Sequence, residues 1–108
     1  MPTFLLIARH DAADCAFYNE KSAKTLAAYA SKLPELLAKH GIKIVGACTV
    51  NSEHLAVQIL EAPSFEAMMA WGKEPENANM SNWQTTEFKI ANTFEETAQM
   101  IQMVWQKK

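Results

Sequence analysis

Three side chains in this sequence carry ligating or nucleophilic chemistry and lie in segments that a folded sheet can bring together: His10, Cys15 and His54. Imidazole nitrogens with a thiolate suit metals of borderline or soft character, so a His, His, Cys set points to a zinc, nickel or copper ion. The same histidines titrate near neutrality and need little tuning for proton transfer, which makes His10 and His54 candidate catalytic bases. Asp11 and Asp14 add carboxylates beside His10. Positions 10, 15 and 54 match no compact metal motif, so only tertiary structure can assemble the set. The competing reading is a pair of solvated histidines at the rim of a sheet. Cys15 is also a candidate nucleophile if it begins a helix, because a helix amino terminus lowers a thiol pKa. The third histidine, His40, precedes Gly41 and reads as a solvated helix end. Cys48 reads as a small buried hydrophobe inside a strand.

Three further residues are candidate ligand contacts. Arg9 adjoins His10, and strand side chains alternate, so only one of the two can face a given side of the sheet. Gln58 shares the parity of His54 and would be a polar point in an apolar pocket. Trp83 lies in an Asn-rich stretch and would be a lid over a cavity mouth. A mostly apolar cavity with a few polar groups fits a small organic ligand.

The apolar periodicity supplies the elements that must position these residues. Residues 3–9 are apolar on both faces and predict a buried strand. Residues 14–40 carry Leu26, Ala30, Leu33 and Leu37 at helical spacing, with Gly41 as the stop. Pro34 predicts a kink, or a new helix capped at Ser31. Residues 42–50 and 53–61 predict a hairpin. Ser64 caps a helix ending at Gly72, residues 73–84 read as irregular, and residues 85–91 form a fourth strand. Thr93 and Glu96 have capping-box spacing and open a last helix, with Phe94, Ala98, Ile101 and Trp105 as its buried stripe. Val57 and Ile59 are expected to pack under Leu33 and Leu37. Leu60, Ala56 and either Cys48 or Ala47 are assigned to the opposite face.

This order is β-α-β-β-α-β plus a helix, the ferredoxin-like α+β arrangement with an antiparallel sheet in order 4-1-3-2. In that order the end of the first strand lies beside the start of the third, which brings His10 next to His54, with Cys15 on the same rim.

Composition limits the function classes. The chain has 108 residues, 49% hydrophobic and 20% charged, with net charge −2. That length suits one domain over residues 1–108 with a real core. Ten scattered basic residues against twelve acidic ones give no nucleic-acid footprint. No apolar run approaches a membrane span. Two cysteines and the absence of a cationic, cleavable start predict a cytoplasmic protein.

The segments Ile42-Lys43-Ile44-Val45-Gly46 and Leu60-Glu61-Ala62-Pro63-Ser64, with the element order, resemble the dimeric α+β-barrel superfamily. That group includes antibiotic-biosynthesis-type monooxygenases, muconolactone-isomerase-like proteins and stress-responsive barrel proteins. Arg9-His10 is also similar to its small nickel-binding domains. The resemblance implies a homodimer whose sheets close around a cavity, and the two-faced apolar first strand agrees with that. A terminal helix folding over the open face of its own chain is the alternative. The leading functional reading is a small-molecule-binding homodimer. The alternatives are a cofactor-independent oxygenase or isomerase using His10 or His54, and a metal-binding protein using His10, Cys15 and His54. A filled, inert barrel module is a fourth. No cofactor is required by the first two.

Overall fold

The computed structural model describes residues 1–106. The expectation of one domain over 1–108 includes Lys107 and Lys108, which lie outside the described residues. The elements are β1 (Thr3–Arg9), α1 (Glu20–His40), β2 (Lys43–Val50), β3 (Leu55–Glu61), α2 (Phe65–Gly72), α3 (Pro75–Met80), β4 (Thr85–Ala91) and α4 (Phe94–Gln106). Single 3-10 turns at Ala12–Asp14 and Asn51–Glu53 complete the set. The sheet order is β2-β3-β1-β4, and every neighbouring pair is antiparallel. Read from the other edge, this is the 4-1-3-2 order of a ferredoxin-like α+β fold.

The helix ends follow local chemistry. The Asn19 side chain accepts from the Ser22 N–H at 3.1 Å, so α1 starts at Glu20 and not at residue 14. The helix runs unbroken through Pro34, with no second cap at Ser31. The packing of Leu33, Leu36 and Leu37 on the sheet outweighs the one backbone bond that proline removes. Gly41 closes α1 at φ 68°, a left-handed conformation, and its N–H donates to the Ala38 and Leu37 carbonyls. Ser64 caps α2 by accepting from the Ala67 N–H at 3.1 Å. The stretch after Gly72 was expected to be irregular, but Pro75 at the first position starts the six-residue helix α3. At α4, the Thr93 Oγ1 accepts from the Glu96 N–H at 3.1 Å, and the Thr93 N–H donates to Glu96 Oε1 at 2.7 Å. That is the reciprocal capping box.

The core forms where α1 and α2 cover one sheet face, from Phe4, Leu36, Ile42, Leu60, Ala62, Met68 and Trp71. This reverses the expected faces of β3. Leu60 is fully buried under the helices, whereas Ile59 is 41% exposed on the other side with Val57. Side-chain alternation divides residues between two faces but does not name the buried one. In a sheet apolar on both sides, the hand of the β1–α1–β2 crossover makes that choice. The expected burial of α4 also fails: Phe94, Ile101 and Trp105 are 86%, 54% and 68% exposed. No described helix is long and apolar enough to cross a membrane.

Candidate functional site

The site is built where β1 ends and β3 begins. Arg9 stands opposite Leu55 in the β1–β3 register, and one step further the His10 N–H donates to the His54 carbonyl at 3.2 Å. The imidazoles meet edge to face, with ring centroids 5.1 Å apart and planes at 67°. The Trp83 ring lies 5.3 Å from that of His10. Cys15 follows the 3-10 turn Ala12–Asp14, its N–H donating to the Ala12 carbonyl at 3.2 Å. Its own carbonyl accepts from the Tyr18 and Asn19 N–H groups at 2.9 and 2.8 Å, which ties it to the start of α1. Cys15 is 4% exposed.

The potential ligand atoms of His10, Cys15 and His54 all lie within 4.8 Å of one another. His10 Nε2 and His54 Nδ1 are buried and have no hydrogen-bond partner. Leaving such a group unpaired is costly, so two in one spot mark the cluster out. His54 has φ 53° and ψ 48°, the one non-glycine positive φ among the described residues. Residues held in this region cluster at functional sites, where the surroundings over-determine the strain.

Alternation resolves the competition between Arg9 and His10. Arg9 turns to the open face, where its guanidinium donates to Glu87 Oε1 at 2.6 Å. His10 takes the face toward Trp83. Burial lowers the His10 pKa first and the neighbouring His54 second, with Asp14 and Asp11 opposing. The neutral imidazole, the form that ligates or accepts a proton, is therefore favoured. A surface cleft of about 430 Å³ opens onto His10 and Trp83 and is bordered by Arg9, Asp11, Asp14 and Glu53.

Gln58 is not brought to this cleft. It lies beneath α1, where its Nε2 donates weakly to the Tyr29 hydroxyl at 3.5 Å. Tyr29 borders a separate gap of about 90 Å³ between sheet and helices, with Leu6, Trp71, Asn77 and Phe88. Sequence reasoning missed Tyr29 because it sits inside an apolar helical stripe. It missed Glu53, although its place beside His54 in the hairpin was a usable signal. His40 is not a solvated cap: its side chain is 14% exposed, and Nε2 lies 3.1 Å from Glu74 Oε1. Cys48 is exposed rather than buried.

No protein-family model matches the sequence, and no curated protein matches it. Among solved structures, an uncharacterized NIPSNAP domain protein from Burkholderia xenovorans superposes with a TM-score of 0.51 at 14% identity, over 87% of this chain and 97% of that one. The two share a ferredoxin-like fold. At this identity the likeness concerns the fold alone.

Proposed function

We propose that this chain is a metal-binding ferredoxin-like domain that holds a zinc, nickel or copper ion between His10, His54 and Cys15. The observation that carries the reading is the convergence of three donor atoms within 4.8 Å, drawn from three separate segments. The two unpartnered imidazole nitrogens support it, because a metal bond would offset their desolvation. Bond lengths of about 2.0–2.3 Å need donors somewhat closer than the widest separation here, a change within reach of side-chain rotation. Three protein ligands leave a coordination position for water or a small molecule. The cleft beside His10 is where such a ligand enters, with Trp83 as an apolar wall and Arg9, Asp11 and Asp14 at the mouth. In this form the small-molecule and metal readings are one function.

Calorimetric titration of metal-free protein with Zn2+, Ni2+ and Cu2+ tests the proposal. One ion per chain is expected for at least one metal. His54→Ala and Cys15→Ser should each weaken it beyond the roughly 10–100-fold that loss of an outer-shell partner costs. Unchanged far-ultraviolet dichroism would show that the variants still fold. Binding that survives both substitutions, or no stoichiometric binding at all, rejects the site.

A second reading, an oxygenase or isomerase with His10 or His54 as general base, is favoured by one observation: His10 borders the cleft with its pKa lowered, poised to accept a proton. It predicts turnover that persists in metal-free protein and is lost in His10→Ala.

A further inference from the structure

Every residue of α4 is exposed. Yet at 100° per residue Phe94, Ala98, Ile101, Val104 and Trp105, with Met100, fall on one broad side, and Glu95, Gln99, Gln102 and Gln106 on the other. A helix so patterned is built to be covered on one side. The same chain has a second uncovered apolar surface. Leu5, Ile7, Val57 and Ile59 lie on the sheet face away from α1 and α2, edged by the Arg9–Glu87 pair and Lys89.

The dimensions say how much surface is unsatisfied. The chain exposes 7373 Å², whereas a compact monomer of 12.1 kDa exposes about 6,000 Å². The excess, roughly 1,300 Å², is more than the ~800 Å² that each partner of a standard interface buries. The radius of gyration is 16.3 Å and the long axis 58 Å, against about 13 Å for a compact radius at this length. Thirteen helical residues span about 20 Å, and seven-residue strands about 23 Å, so α4 and the open face match in length.

We infer that α4 of each chain lies across the open sheet face of a second copy, the two chains exchanging helices about a two-fold axis. A single self-complementary contact then covers both bare surfaces, as an isologous dimer requires. A membrane surface is a poor occupant, because α4 opens on Glu95 and Glu96 and its polar side continues with Gln99, Gln102 and Gln106.

Sedimentation equilibrium of the full chain at micromolar concentration should give twice 12.1 kDa. The double variant Ile101→Glu, Trp105→Glu and the single variant Ile59→Glu should each sediment as folded monomers, since neither site belongs to the chain's own core. Cys48 is exposed on the open face, so a short bismaleimide should join Ala98→Cys to Cys48 of the partner subunit. That cross-linked dimer should vanish when Cys48→Ser is added. A monomeric wild type overturns the inference. So does a dimer that survives the double α4 variant but not Ile59→Glu, which would mean sheet against sheet. A cross-link formed within one chain overturns it as well.

Discussion

At the scale of single residues, burial separates side chains of similar type. Leu60 is fully buried, and Ile90 is 78% exposed, although both belong to strands and both have the parity of the helix-covered face. The helix layer does not extend over Ile90. Leu60→Ala should cost roughly 2–5 kcal/mol, the range for a buried leucine that leaves a cavity. Ile90→Ala should stay within about 0.5 kcal/mol, as surface changes do. Urea denaturation at submicromolar concentration measures both without interference from association. A Leu60→Ala effect below about 1 kcal/mol would mean that α1 and α2 do not close over that point.

At the scale of elements, one carboxylate ties α1 to the α2–α3 junction. Glu74 Oε1 accepts from Lys39 Nζ at 2.8 Å and lies 3.1 Å from His40 Nε2. The Lys39 hydrogen bond first, and the His40 contact second, hold the Glu74 carboxyl below its usual range. The folded pKa is thus lower than the unfolded one. The ionised carboxylate adds stability above the unfolded pKa, near 4.3 for glutamate, and that stability disappears as pH falls through the lower folded value. Glu74→Gln should therefore lower the urea midpoint at neutral pH, and its difference from wild type should shrink below about pH 4. Denaturation curves across that range check this. A difference that is constant with pH would assign Glu74 a purely steric role. Cations near the end of α1 also meet its dipole favourably, so Lys39 is placed to serve both contacts.

At the scale of the whole molecule, two bare apolar surfaces on one small chain make stability depend on its own concentration. If α4 seats on a second copy, the thermal midpoint should rise with protein concentration, because association stabilises only the folded state. Truncation after Asn92 should remove that dependence and leave the four-stranded sheet folded, since α4 supplies nothing to the core. Scanning calorimetry over a hundredfold range of concentration measures it. A midpoint that does not move in wild type would mean that α4 is a solvated appendage.

Local pattern alone carried the four strands, the helices α1, α2 and α4, the strand order and the pairing of His10 with His54, but not α3. These follow from short-range periodicity, caps such as Ser64 and Thr93, and the antiparallel neighbour rule. It also kept Cys15 near the pair, because only the four residues 11–14 of loop and turn separate it from His10 and hold it on the same rim. Other outcomes depended on contacts between segments distant in sequence. A strand apolar on both faces carries no signal for which face is covered, so the burial of Leu60 over Ile59 was decided by the crossover. The local penalty of Pro34 was overridden by packing along the whole of α1. The contact of His40 with Glu74 joins residues 34 apart, beyond any pattern of spacing. The amphipathic stripe of α4 predicted a covered helix, but what covers it is not encoded in the stripe. The fold leaves the chain's own sheet uncovered by α4, because every residue of that helix stays exposed and it makes no extensive packing contact with another described element.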